Sequence, residues 1–85
     1  MSALKNYVDR KNIFNKMYNR NMLDINSPTD RRRIADMIDG DLSPENLTCD
    51  GELPRAEVNR RYRELTSAAK ELKALDPTIR FHEFI

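Results

Sequence analysis

Residues 54–77 read PRAEVNRRYRELTSAAKELKALDP, and this stretch decides the fold. Val58, Leu65 and Leu72 recur every seven residues, with Tyr62, Ala68, Ala69 and Leu75 beside them. Apolar residues at that spacing form one stripe on an α-helix, whereas a strand would need strict alternation. The pattern predicts a long amphipathic helix over 54–75, stopped by Asp76-Pro77. Ala68 and Ala69 are small enough to admit a neighbouring helix at short range.

The expected neighbour is the N-terminal segment. From Ala3 to about Leu23, Leu4, Tyr7, Val8, Phe14, Met17, Tyr18 and Met22 return at three- and four-residue steps. This predicts a helix over 3–22 packed antiparallel on 54–75. Asn6, Asn12, Asn15, Asn19 and Asn21 weaken it, because asparagine favours caps and turns, so fraying is expected over 19–26. A short helix over 28–39 is announced by Ser27-Pro28-Thr29-Asp30, with Ser27 as cap, Pro28 in the first turn and Asp30 placed to reach back. Ile34, Met37 and Ile38 would face the core, and Gly40 would end the helix in a left-handed conformation.

Between Asp41 and Leu53 the periodicity breaks. Ser43-Pro44-Glu45-Asn46-Leu47 can form one helical turn, and Asp50-Gly51 favours a tight turn. Leu42, Leu47 and Leu53 would pin this connector to the helices, so it is expected to be ordered. Residues 77–85 then carry Ile79, Phe81, Phe84 and Ile85, too apolar to be left in water, so the tail either folds back or docks on another molecule. The expectation is one all-α, three-helix domain spanning residues 1–85, with residues 77–85 as an apolar tail.

Composition narrows function by exclusion. At 85 residues and 39% apolar, the chain buries a modest share of its unfolded surface, and a partner or second copy could add to its stability. Its 15 basic and 14 acidic side chains nearly cancel, so any electrostatic role must be local. One cysteine, Cys49, and one histidine, His82, leave too few groups for a triad, a zinc site or an intramolecular disulfide. The acidic neighbours Asp50 and Glu52 oppose thiolate formation at Cys49. No apolar run of the ~7–15 residues that a signal peptide needs follows Met1, and none is long enough for a span. We therefore expect no enzyme activity, cofactor, metal, membrane or small-molecule substrate, and a cytoplasmic location.

Two motif readings fail on inspection. Asp36, Asp39, Asp41, Glu45, Asp50 and Glu52 crowd one region, yet a calcium loop beginning at Asp39 would have Pro44 where glycine is required and Asp50 in place of the bidentate glutamate. A helix-turn-helix over 28–49 would make 43–50 the recognition helix, and that segment has no Lys or Arg. These acids are expected to be a solvated, helix-capping connector.

Charge is nonetheless polarised. Residues 1–23 carry five basic and one acidic side chain, 24–52 three and eight, and 53–85 seven and five. Lys5, Arg10, Lys11, Lys16 and Arg20 interleave with Tyr7 and Tyr18, and Arg31-Arg32-Arg33 and Arg60, Arg61 and Arg63 add two further clusters that could meet phosphates. The competing expectation pairs the arginines with Asp30, Asp36, Glu57 and Glu64 at helical spacing. Tyr7, Phe14, Met17, Tyr18 and Met22 are expected to be core, with a partner groove as the other reading. The leading functional expectation is a non-enzymatic adaptor, inhibitor or regulatory accessory protein. It would bind a larger protein through Ile79, Phe81, Phe84 and Ile85, oriented by Arg31, Arg32 and Arg33. Nucleic-acid binding on the basic faces is the alternative, and homodimerisation through Val58, Leu65 and Leu72 the third.

Overall fold

The computed structural model describes residues 2–83. It is all-helical: α1 spans Ala3–Met17, α2 Pro28–Leu42, the single turn α3 Pro44–Leu47, and α4 Arg55–Leu75. Both α1 and α2 pack on α4. The N-terminus of α1 meets the far half of α4, where Leu4 N–H donates to Glu71 at 2.9 Å, while Arg10 lies 3.7 Å from Glu64. The two long helices are therefore antiparallel. Among the described residues no helix is long and apolar enough to cross a membrane.

The core takes Leu65 and Leu72 of the heptad, whereas Val58 is only partly buried and Tyr62 and Leu75, expected beside it, are exposed. Leu65, Ala68, Ala69 and Leu72 of α4 are buried against Leu4, Tyr7 and Val8 of α1, and Ile34, Ala35, Ile38 and Leu42 of α2. Ile34, Ile38, Ala68, Ala69 and Leu72 have no solvent exposure. Because Leu65 and Leu72 are used inside the monomer, a second copy would need another surface.

Three helix ends differ from the sequence expectation, each for a local reason. First, α1 stops at Met17 instead of continuing to 22. The side chain of Asn12 hydrogen-bonds both ways with Leu23, accepting from its N–H at 2.7 Å and donating to its carbonyl at 3.0 Å. That pair folds the following segment back along the helix, and Asn19 supplies the turn with a left-handed φ of 54°. Second, α2 runs through Gly40 to Leu42. The stop falls at Ser43, held extended by the following proline, while the Gly40 carbonyl accepts from the Ser43 N–H and hydroxyl and from Asn46. Third, Ser27 caps α2 by accepting from Asp30 N–H at 3.4 Å, but the Asp30 carboxylate reaches Asp24 N–H and not the cap residue.

The connector is ordered, as expected. Leu42 is buried, Leu47 packs on the core, and Cys49, Asp50 and Gly51 run through three successive positive φ angles. At 85°, Gly51 adopts its angle without a Cβ penalty, while the Cys49 and Asp50 N–H groups donate to the Asn46 and Glu45 carbonyls, and the Thr48 carbonyl accepts from Gly51 and Leu53. Residues 77–83 fold back. Ile79 is core, Phe81 packs at its edge, and the buried Asp39 carboxylate accepts from the N–H groups of His82 (2.8 and 3.0 Å) and Glu83 (3.0 Å). Replacing Asp39 with alanine removes these charge-assisted bonds and is expected to cost about 1.5–3 kcal/mol. Faster amide exchange at His82 and Glu83 checks the cause, and unchanged protection at both would show that the strap does not depend on Asp39.

Candidate functional site

Along α1 the apolar stripe changes character. Its first half, Leu4, Tyr7 and Val8, is buried, but its continuation from Ile13 onward is exposed. Phe14 is 49% exposed, Met17 73%, Tyr18 58% and Met22 53%, and Ile13, off the expected stripe, is 63% exposed. The expectation that Phe14, Met17, Tyr18 and Met22 form core is thus overturned. The segment that returns after Asn19 ties Leu23 to Asn12 and sets Arg20 over the Phe14 and Tyr18 rings, and it leaves these four side chains about half exposed or more.

The exposed side chains are organised. Phe14 and Tyr18, one turn apart, have ring centroids 4.7 Å apart and tilted by 40°. The Arg20 guanidinium, brought back by the turn at Asn19, lies 5.9 Å from the Phe14 ring and 5.7 Å from the Tyr18 ring. Neither Arg20 nor Lys16 has a carboxylate partner among the described residues.

Beside Phe14 opens a cleft of about 530 Å³ between α1, α4 and the connector. It brings together Arg10 and Lys11 with Arg60 and Arg61, two basic clusters far apart in sequence, and sets Asp41, Glu57 and Glu64 between them. Arg10 pairs with Glu64, Lys11 with Asp41 at 3.5 Å, and Arg60 with both Glu57 and Glu64. Arg61 donates to the Asn46 carbonyl at 3.2 Å, and its Nε finds no acceptor among the described residues. At the inner wall the Tyr7 hydroxyl donates to Asp41 at 2.7 Å while Lys11 sits 5.3 Å from the ring.

Burial, followed by the bond to Asp41, pushes the Tyr7 phenol above its ordinary pKa. The folded state therefore holds this proton more tightly than the unfolded chain does, and its contribution to stability is present below about pH 10 and lost as pH rises. Wild-type unfolding free energy should fall with pH above pH 10, by up to about 1.4 kcal/mol per pH unit from this group alone, a slope absent from Tyr7→Phe. Urea melts from neutral to alkaline pH check this, and identical slopes in the two proteins would refute it. At the other end of α1, the Ser2 hydroxyl and then the Leu4 N–H hold the Glu71 carboxyl below the usual range, so α4 supplies an acid to the positive N-terminus of α1.

The remaining residues singled out from sequence are dispersed. Lys5 pairs with Asp9, and Arg63 is exposed on α4 without a carboxylate partner among the described residues. Arg31 donates through Nε to the Ile25 carbonyl at 2.6 Å, Arg33 lies 3.9 Å from Asp30, and Arg32 is exposed. Charges on Arg32 and Arg31 reach Asp76 at the end of α4, so this triplet lies away from Arg60 and Arg61 near its start. Ile79 cannot serve as a surface contact while it is core, Phe81 is partly buried, and Phe84 and Ile85 lie outside the described residues. Sequence reasoning missed Ile13 and placed its neighbours inside. A usable signal was present: from Arg10 to Leu23 there are four basic residues and no acidic one.

Comparison with models of protein families, with curated proteins and with solved structures gives no match.

Proposed function

We propose that the chain is a small non-enzymatic protein-binding module, an adaptor, inhibitor or regulatory accessory protein, that seats the second half of α1 on a larger partner. The observation that carries this is the run of five large apolar side chains, Ile13, Phe14, Met17, Tyr18 and Met22, each about half exposed or more. The domain buries Leu4, Tyr7 and Val8 on α1 but leaves Ile13, Phe14 and Met17 further along it, and Tyr18 and Met22 beyond its end, in water, where exposed apolar surface is unfavourable unless another molecule covers it. Aromatic rings, methionine and arginine are the residue types enriched where interfaces concentrate their binding energy. Methionine adds a side chain that adapts to the partner's shape.

The nucleic-acid alternative draws less support from the same geometry. Arg10, Lys11 and Arg60 already face carboxylates, so phosphates would have to displace Glu64, Asp41 and Glu57. To separate the two, a photo-crosslinking residue replaces Met17 in the full-length chain, with the same residue at exposed Ser67 on α4 as control, in cells that make the protein naturally. One predominant protein adduct from position 17, resistant to nuclease and absent from position 67, is the expected outcome. Adducts with nucleic acid, or the same protein bands from both positions, would reject the proposal.

A further inference from the structure

We infer that the partner presents an acidic amphipathic segment, with apolar side chains flanked by carboxylates, to the surface formed by residues 10–22, the second half of α1 and the turn that follows it. The inference rests on the reading of that face as a protein interface and adds the chemistry of what covers it. The segment from Arg10 to Leu23 contains Arg10, Lys11, Lys16 and Arg20 and no acid. Arg10 and Lys11 point their charge toward Glu64 and Asp41 on the cleft side. Lys16 is exposed in the last turn of α1 and has no carboxylate among the described residues, and neither has Arg20, which lies over the Phe14 and Tyr18 rings. Covering this face with a neutral or basic segment would desolvate two cations with nothing to compensate them. Carboxylates at the edge of an apolar segment would compensate them and orient the approach. The protein's own acids are concentrated elsewhere, eight of them between residues 24 and 52 against three basic residues, so an acidic ligand is directed toward α1 and away from the connector. The cleft beside Phe14, walled in part by Leu53 and Leu65, has room for one large side chain of that segment.

The test titrates the isotopically labelled full-length chain with three probes, reading amide shifts over residues 10–22. One is a helix-forming peptide with leucine on one face and glutamate on the other, the second its twin with lysine for glutamate, and the third oligo-uridine. The Leu/Glu peptide should bind at residues 10–22 at least about tenfold more tightly than the Leu/Lys twin, and more weakly as salt is raised. Lys16→Glu with Arg20→Glu should reverse the order, with an unchanged circular dichroism spectrum confirming the fold. Equal affinity of the two peptides at this face would overturn the acidic partner while leaving a protein interface standing. If oligo-uridine binds there more tightly than either peptide, both readings fall. Binding of the Leu/Glu peptide elsewhere, or no binding by any probe, also overturns the acidic partner, and crosslinking at position 17 then decides the interface by itself.

Discussion

Replacing Phe14 and Tyr18 together with alanine is expected to reduce the position-17 crosslink to background and to weaken partner affinity by about two orders of magnitude or more, because aromatic interface anchors contribute roughly 2 kcal/mol or more each when truncated. The two rings contact each other and share Arg20, so removing both dismantles one unit, and each single variant should lose more than half of the double variant's effect. Stability should barely change. Both side chains are about half exposed, alanine is the best helix former, and the lost ring pair is worth about 0.5–1.5 kcal/mol. Thermal melts and crosslink yield on the same preparations check both halves. Full crosslinking by the double variant would show that the exposed rings are not the contact. A collapse in stability would instead assign them a packing role.

Leu72→Ala gives the opposite pattern. Leu72 is fully buried in α4 among side chains that α1 and α2 direct at it, so truncation opens a cavity between three helices. Leucine-to-alanine changes at such sites cost about 3–5 kcal/mol. An 85-residue domain has only about 4–13 kcal/mol to lose, at roughly 0.05–0.15 kcal/mol per residue. The melting temperature should fall by at least about 12 °C, at 4–8 °C per kcal/mol for a domain of this size. Leu75→Ala, one turn further on and 47% exposed, is the matched control and should stay within about 1 kcal/mol of wild type. Similar melts for the two variants would mean that Leu72 is not at the centre of the core.

The tail and the end of α1 are where apolar content and burial part company. Both segments are rich in large side chains, and both could be read as core or as contact. Ile79 became core because Asp39, on α2, offers its carboxylate to the N–H groups of His82 and Glu83 and holds the strap down. Phe14, Met17 and Tyr18 stayed outside because the chain ends the helix at Met17, turns at Asn19 and returns with Leu23 on Asn12, which leaves these side chains about half exposed or more.

What the residues determined by themselves is local: the α4 stripe from its seven-residue repeat, the start of α2 from Ser27-Pro28, the α3 turn from Ser43-Pro44, and the turn at Asp50-Gly51. Each depends on spacing or on the φ preference of one or two residues, both properties of the chain alone. Tertiary structure decided what needed two distant segments at once. It ended α1 early through Asn12 and Leu23, carried α2 past Gly40 to Ser43, and set Arg10 and Lys11 against Glu64 and Asp41 in one cleft. It also left half of one apolar stripe open to solvent. The 3.6-residue periodicity says which side chains share a face, but whether that face is covered depends on the reach of the other helices, a long-range property that no local pattern encodes.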